Sequence, residues 1–79
     1  MSNILTNATG TFVWGSENTV SGVYSTVLGR GLKSSDDSTF HLGTFNNPMP
    51  GTGVMGTIGC GSSNSDRRNS LVFMRDGRV

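Results

Sequence analysis

The chain has 79 residues, of which 33% are hydrophobic and 14% are charged, and its formal net charge is +1. A chain this short buries a limited share of its surface, so a core of its own would be thin and a roomy catalytic pocket is not expected. The near-neutral charge, with no basic run interleaved with aromatics, argues against a nucleic-acid partner, and no apolar run approaches the roughly 20 residues that span a bilayer.

The composition argues against a helical fold and against the disulfides and metal sites that stabilise many small domains. Gly, Ser, Thr and Asn together account for 39 residues, and all four are poor residues for a helix interior. The chain has one cysteine and one histidine, so we predict no internal disulfide, no metal site and no cofactor. The first five residues carry no basic segment and no apolar segment of a secretory signal. Oligomerisation is the remaining route to a stable fold.

A fourteen-residue repeat dominates the first half of the chain. Gly15, Gly29 and Gly43 each end a block that consists of a hydroxyl residue, a short apolar or β-branched run and then glycine. The blocks are 11–15, 25–29 and 39–43, and 18–22 is a weaker copy that ends at Gly22 half a period away. A short strand every seven residues is too short for a hairpin meander, so the repeat predicts coils of a β-roll or β-solenoid.

The repeat also predicts the placement of individual residues. We expect Gly15, Gly22, Gly29 and Gly43 to form the turns, because glycine accepts positive φ without steric cost. Alternate side chains of a strand point to opposite faces, and the bulkier set is expected to face inward, towards the core of the roll or a partner chain. That set is Phe12 and Trp14, Thr26 and Leu28, and Phe40 and Leu42, with Val13, Val27 and His41 on the other face.

The second half of the chain departs from the repeat. Residues 45–51 contain Asn-Pro and Pro-Gly and predict a loop, 53–61 predicts one or two tightly packed strands, and 62–69 predicts a polar loop. Residues 70–75 predict a strand, and the Asp76-Gly77 turn that follows leaves only two residues for a partner strand. We therefore divide a single structural domain into an N-terminal extension (1–10), β-roll repeats (11–45) and a glycine-rich loop and strand module (46–79).

Two families resemble this pattern. The segments 18–22 and 25–29 are similar to the head repeats of trimeric autotransporter adhesins, which are parallel β-rolls that associate as trimers. The order of Phe40-His41-Leu42-Gly43, Asn47-Pro48, the glycine-rich run, Arg67-Arg68-Asn69 and Asp76-Gly77 resembles a module of phage tail fibres and appendages. That module commonly precedes an intramolecular-chaperone domain that cleaves itself off after trimerisation. Together the two resemblances cover about residues 11–78.

The resemblance implies an intertwined homotrimer that is a non-enzymatic structural component of a phage virion: a fibre, an appendage or a capsid decoration. Its partners would be copies of itself and other virion proteins. Two departures from the phage pattern stand out: Cys60 takes the position of an asparagine, and no chaperone domain follows Val79, so its catalytic residues have no counterpart. One alternative is a receptor- or glycan-binding head of a phage fibre or bacterial adhesin, and another is a fragment left by a self-cleaving fibre protein.

Four side chains are of types that occur in catalytic sites, and the sequence context of none of them predicts catalysis. Adjacent Asp36 and Asp37 are expected to be solvated turn residues, because sequence neighbours do not converge on one atom as an acid–base pair must. His41 has no nucleophile or carboxylate at a suitable spacing, and Cys60, between two glycines, is expected to be a small buried thiol.

The remaining candidates belong to an interface. Arg67 and Arg68 are expected to pair with carboxylates, such as Asp66 or Asp76 of a neighbouring chain, because the arginine fork binds carboxylate bidentately. Large aromatic residues such as Trp14 and Tyr24 are expected to be core or interface anchors. The predicted trimer-interface residues are Phe12, Trp14, Phe40, Leu42, Arg67, Arg68 and Phe73.

Overall fold

The chain folds as an all-β solenoid, as the repeat predicts. A computed structural model describes residues 3–6 and 9–79, and this part of the chain forms eight strands and no helix. The strands are β1 (Ile4–Leu5), β2 (Phe12–Ser16), β3 (Thr19–Val20), β4 (Thr26–Arg30), β5 (Lys33–Ser34), β6 (Phe40–Thr44), β7 (Val54–Cys60) and β8 (Asn69–Met74).

Each of the first three coils contributes one short strand to each of two sheets, and β7 and β8 extend only the larger sheet. The three-stranded sheet has the order β1-β3-β5, and the five-stranded sheet has the order β2-β4-β6-β7-β8. All pairings are parallel except β7 with β8, which is antiparallel. Parallel pairing of consecutive short strands requires the chain to wind around a common axis, and it makes about four turns.

The fourteen-residue period is the structural register. Phe12 lies beside Thr26 and Thr26 beside Phe40, and the three repeat glycines align in the same way. The parallel arrangement then continues beyond the recognisable repeat, because Phe40 lies beside Gly56 in β7. The two additional residues of that coil belong to the loop between β6 and β7. The single strand predicted at 70–75 is confirmed as β8, which closes the C-terminal side of the sheet.

The interior of the roll is narrow and lined by small side chains. Val20, Val27 and Leu32 have no exposed surface and form the apolar cluster, with Val13 packed against it. Many of the other buried side chains are polar: Asn18, Ser25, Ser34, Thr39, His41, Asn46 and Thr57. The largest fully buried side chains are Leu32 and His41, and the others are valine or small polar residues.

The bulky face lies on the outside of the roll, which corrects part of the expectation. Val27, His41 and Thr57 of the five-stranded sheet point inward and are buried, whereas Phe12 and Trp14 are mostly exposed. The prediction that the bulky set faces the roll core is therefore wrong. Strand alternation separates the two faces correctly, but it does not identify which face is enclosed, and here the narrow interior selects the smaller side chains.

The repeat glycines lie within strands, not at turns. Gly15, Gly29 and Gly43 are the fourth residues of β2, β4 and β6, with φ of 121°, 144° and 98°. A Cβ on each would overlap the carbonyl oxygen of the next glycine in the column. These glycines are required because the backbones of adjacent coils approach closely at this column. Gly22 does lie in the bend between β3 and β4, without positive φ.

Left-handed residues form the actual corners, and they also recur every fourteen residues. Gly10, Tyr24 and Ser38 have φ of 66°, 55° and 56°, and a second series comprises Glu17, Gly31 and Phe45. The Tyr24 ring lies where a Cβ on Gly10 would be, and the Phe45 ring does the same at Gly31. Each of these two glycines therefore provides a surface on which an aromatic ring of the next coil packs.

Candidate assembly surface

Side chains on the outward side of the five-stranded sheet form two apolar rows, which we call the outer face. Strands in register place every second side chain on the same side, one above the other. The first row is Phe12, Thr26, Phe40, Gly56 and Phe73, and the second row is Trp14, Leu28, Leu42, Ile58 and Leu71. Eight of the ten positions carry large apolar side chains.

The outer face is uncovered in the single chain. Trp14 is 72% exposed and Phe12 is 58% exposed, while Leu28 and Leu71 keep 36% and 37% of their surface in contact with solvent. Some packing occurs within the face, because the rings of Phe40 and Phe73 lie with their centroids 5.3 Å apart and tilted by 44°. The face is therefore an ordered apolar surface, and its most exposed part is at β2.

Five of the seven predicted interface residues lie on the outer face: Phe12, Trp14, Phe40, Leu42 and Phe73. Sequence reasoning missed Leu28 as an interface candidate, although it had placed Leu28 on the correct face, and it missed Ile58 and Leu71. Leu28 could have been identified from the sequence, because the fourteen-residue period aligns it with Trp14. Ile58 and Leu71 could not be aligned in this way. The strand β7 follows β6 after sixteen residues and not fourteen, and β8 is antiparallel to β7.

The structure places the two predicted interface arginines against their own chain. Arg67 donates hydrogen bonds to the carbonyl oxygens of Gly31 (2.7 Å) and Asn46 (3.2 Å), and its guanidinium lies 5.6 Å from the centre of the Phe45 ring. Burial lowers the pKa of Arg67. These contacts join the loop before β8 to two different coils, so Arg67 has a structural role within the chain.

Arg68 forms an ion pair with Asp66 of the same chain. Its Nε lies 3.1 Å from Oδ1 of Asp66, and the Arg68 side chain is mostly exposed while that of Asp66 is partly exposed. A hydrogen bond from the Ser62 hydroxyl and the charge of Arg68 lower the pKa of Asp66. The carboxylate expected from a neighbouring chain is thus already supplied locally.

A buried polar cluster surrounds His41 between the two sheets. Nδ1 lies 2.7 Å from Oγ1 of Thr57 and accepts a hydrogen bond from the Asn46 amide nitrogen at 3.1 Å, while Nε2 lies 3.1 Å from Oγ1 of Thr39. The backbone N–H of Lys33 donates to Oδ1 of Asn46, which fixes the orientation of that amide. Nδ1 is therefore the acceptor, and the neutral ring donates from Nε2 to Thr39.

Burial determines the protonation state of His41. Desolvation lowers the pKa of the imidazole from 6.5 to about 4, and the negative charge of Asp36 opposes this effect only in part. The side chain is 1% exposed, so the ring cannot exchange protons freely with a ligand at the surface. Every polar atom of the ring is engaged in the fold, as expected for a packed strand histidine.

The other chemically notable side chains are separate from one another. Cys60 is exposed at the end of β7, which corrects the prediction of a buried thiol. Asp37 accepts a hydrogen bond from the backbone N–H of Val23, and Asp36 accepts one from Gly51, so both carboxylates hold loops in place. These two residues are turn residues as predicted, with the additional role of bridging coils.

Residues 3–6 and 9–79 enclose no pocket and bring no three His, Cys, Asp or Glu side chains together in a metal-binding arrangement. That part of the chain also contains no helix long and apolar enough to cross a membrane. The outer face is therefore the feature best suited to a function. Comparisons of this chain with protein-family models, curated proteins and solved structures found no match.

Proposed function

We propose that this chain is a non-enzymatic structural module of a bacteriophage virion, within a fibre, an appendage or a capsid decoration, and that it works as a homotrimer. The outer face is the observation that carries the proposal of assembly. The resemblance of the second half of the chain, from Phe40 to Gly77, to a module of phage tail fibres and appendages supports the virion location and contacts with other virion proteins. The trimeric state likewise rests on that resemblance.

The balance of apolar surface inside and outside the roll supports assembly. Fully burying one large apolar side chain contributes about 1.5–3 kcal/mol. Phe12 and Trp14 keep more than half of their surface in water, whereas the fully buried apolar side chains in the described residues are no larger than Leu32. Packing the outer faces of three chains around a common axis would remove these side chains from water and add a second, shared core.

The shape of the chain is compatible with that arrangement. The fold measures 34 × 28 × 17 Å, which makes it a thin slab, and the outer face belongs to the larger of its two sheets. A slab with one apolar side is stable in water when that side is covered. Three slabs meeting at their apolar sides leave the polar side, rich in Ser, Thr and Asn, in contact with solvent.

The first test is the solution mass by static light scattering over a dilution series. We expect three chain masses, maintained as the protein is diluted, because folding and association depend on the same apolar surface. A folded monomer of 8.3 kDa at all concentrations would overturn the assembly proposal.

A pair of matched variants assigns the assembly to the outer face. Trp14→Ser removes the most exposed side chain of the outer face and is expected to weaken association at least tenfold, from the loss of about 1.5 kcal/mol or more. Tyr24→Ser is the control, because Tyr24 is 64% exposed but lies in the turn between β3 and β4. Equal effects of the two variants would contradict the assignment.

Glycan binding is the second candidate function, and the exposure of Tyr24 favours it. Tyr24 lies off the outer face, so its ring would remain accessible in the assembled trimer and could stack on a sugar ring. A glycan array probed with the wild type and with Tyr24→Ser tests this function. Binding that is lost in the variant while its mass is unchanged would support a receptor-binding role, and no binding by the wild type would remove it.

A further inference from the structure

Charged residues flank the outer face on both sides and are absent from its two rows. The carboxyl edge is the side at which β2, β4, β6 and β7 end and β8 begins, and it carries Glu17, Arg30, Asp66, Arg67 and Arg68. The amino edge is the side at which β2, β4, β6 and β7 begin and β8 ends, and it carries Asp36, Asp37, Arg75, Asp76 and Arg78. The one other charged residue, Lys33, lies in the smaller sheet. An apolar centre with a charged rim is the usual anatomy of a protein interface.

The two edges carry opposite net charges. Three arginines against two carboxylates give the carboxyl edge +1, and three carboxylates against two arginines give the amino edge −1. Three ion pairs cancel within the edges: Arg30 with Glu17, Arg68 with Asp66, and Arg78 with Asp76. The surplus positive charge therefore belongs to Arg67, and the surplus negative charge belongs to the Asp36–Asp37 pair, which Arg75 offsets only in part.

The surplus charges are not neutralised within one chain. Arg67 donates to uncharged oxygens, including the backbone carbonyls of Gly31 and Asn46. Asp37 is exposed and forms no ion pair in the described part of the chain. Strands of five residues separate the two edges by about 16 Å, so the edges of a single chain do not reach each other. Their opposite charges are therefore available to a neighbouring molecule.

We infer that the two edges are a second interaction surface, and that the carboxyl edge of each chain lies against the amino edge of the next copy. This inference rests on the proposed homotrimer, because the edges meet when the outer faces turn towards a common axis. Rotation about an axis parallel to the solenoid places unlike edges together at every contact. A two-fold axis along the strands would instead place edges of the same charge together. Charge complementarity thus selects copies that run in the same direction.

The strand register brings opposite charges to matching heights. Arg30 ends β4, and Asp37 accepts the N–H of Val23, which belongs to the coil of β4. The Arg68 carbonyl accepts the N–H of the last residue of β7, and Asp76 follows β8 beside the beginning of β7. Copies related by rotation about the solenoid direction meet at equal heights, so Arg30 approaches Asp37 of the next copy and Arg68 approaches its Asp76.

A cross-link between the two edges tests the contact. Cys60 is exposed and ends β7 at the carboxyl edge, and Met55 is 38% exposed near the amino end of the same strand. These two positions are about 16 Å apart within one chain, so a shorter bis-maleimide joins them only between chains. We expect Met55→Cys to give a three-chain product on a denaturing gel. The wild type and the double variant Met55→Cys/Cys60→Ser, each with one cysteine, are the controls and should stay unlinked.

Light scattering on the same samples separates failure of this inference from failure of the homotrimer. A three-chain particle that Met55→Cys does not cross-link would overturn the edge contact. Cross-linking of either single-cysteine control would also overturn it, because it joins identical edges. A two-chain particle linked only when both cysteines are present would support the edge contact and overturn the trimer. A single-chain mass would overturn both.

Two charge variants test the electrostatic part of the contact. Asp37→Asn removes a negative charge from the amino edge and keeps an oxygen that accepts the Val23 N–H. Glu17→Gln removes a negative charge from the carboxyl edge and keeps an acceptor for Arg30. Both raise the net charge by one, so general repulsion would weaken association equally in the two variants.

Edge pairing predicts opposite effects of these two variants. At low salt, association should be about twofold to fivefold weaker per contact for Asp37→Asn and stronger by a similar factor for Glu17→Gln. The difference should disappear in about 1 M salt, which screens exposed charges. Sedimentation at the urea concentration that half dissociates the wild type measures both variants. Shifts of the same sign in the two variants would overturn the role of the edge charges.

Discussion

Acid should destabilise this fold through His41. Its neutral ring accepts a hydrogen bond from Asn46 at Nδ1, and a proton on that nitrogen would face the amide donor. Because the folded pKa of about 4 lies below the ordinary 6.5, the unfolded chain binds the proton more readily than the native chain. The resulting stability is present above pH 6.5 and is lost as the pH falls towards 4, and below that value the native chain also binds the proton.

The size of the effect follows from the same two pKa values. Each pH unit between them is worth about 1.4 kcal/mol, so lowering the pH from 7 to below 4 removes roughly 3 kcal/mol of unfolding free energy. That amount is a large share of the stability of a small domain. The carboxylates contribute to the same pH range, and the comparison therefore needs a variant that keeps them and cannot titrate at position 41.

His41→Gln is that variant, since glutamine offers an acceptor and a donor but does not titrate near neutral pH. Denaturant unfolding at one fixed chain concentration is measured from pH 7.5 to pH 3.5 for both proteins. The wild type is expected to lose roughly 3 kcal/mol more than the variant over this range. The chain has one histidine, so its NMR titration reports the pKa directly, and a value near 6.5 in the folded protein would refute the reasoning.

Three further predictions follow from the backbone and the loop contacts. Gly29→Ala should prevent folding, because its Cβ would overlap the Gly43 carbonyl. Gly51→Ala is the control: its Cβ would lie in open space, so the variant should lose only about 1 kcal/mol of unfolding free energy for the positive φ. Circular dichroism and thermal melting distinguish the two outcomes. Ser38→Gly should raise the unfolding free energy by up to about 1 kcal/mol, since φ is 56° there, and a lower melting temperature would contradict this. Arg67→Ala should lose about 2 kcal/mol of unfolding free energy, because its hydrogen bonds to Gly31 and Asn46 are lost. Arg30→Ala is the control and should lose less than about 1 kcal/mol, because it removes a surface ion pair with Glu17. Urea unfolding measures both values.

The period of the fold could be read from the sequence, because it is set by residues that tolerate little change. Gly15, Gly29 and Gly43 must be glycine for the coils to stack, so their spacing equals the strand register. The left-handed corners were not predicted, since four of the six positions carry residues other than glycine, including Tyr24 and Phe45. A non-glycine residue in this conformation leaves no compositional signal, because surrounding contacts compensate for its strain.

The same limit applies to the coil that contains β7. Its strand was predicted from composition, but its parallel position beside β6 was not, because Gly59 follows Gly43 by sixteen residues and not fourteen. The buried polar cluster was also beyond sequence reasoning. Thr57 and Asn46 come from elements outside the repeat, and only the register brings them to His41. Contacts that depend on an irregular coil cannot be found from a regular period.

The distribution of side-chain size explains why the bulky residues share one face, as predicted, and why that face does not line the roll core, which was one of the two predicted positions. Two sheets formed by short coils leave an interior that Val20 and Val27 fill, with hydrogen bonds in place of further apolar volume. Most of the larger apolar residues lie instead on the outer face, in two rows that only Thr26 and Gly56 interrupt. A sequence that fills its interior with valine, leucine and small polar residues, and leaves Phe12 and Trp14 exposed, is consistent with a second core formed between chains, and the dilution series tests that conclusion directly.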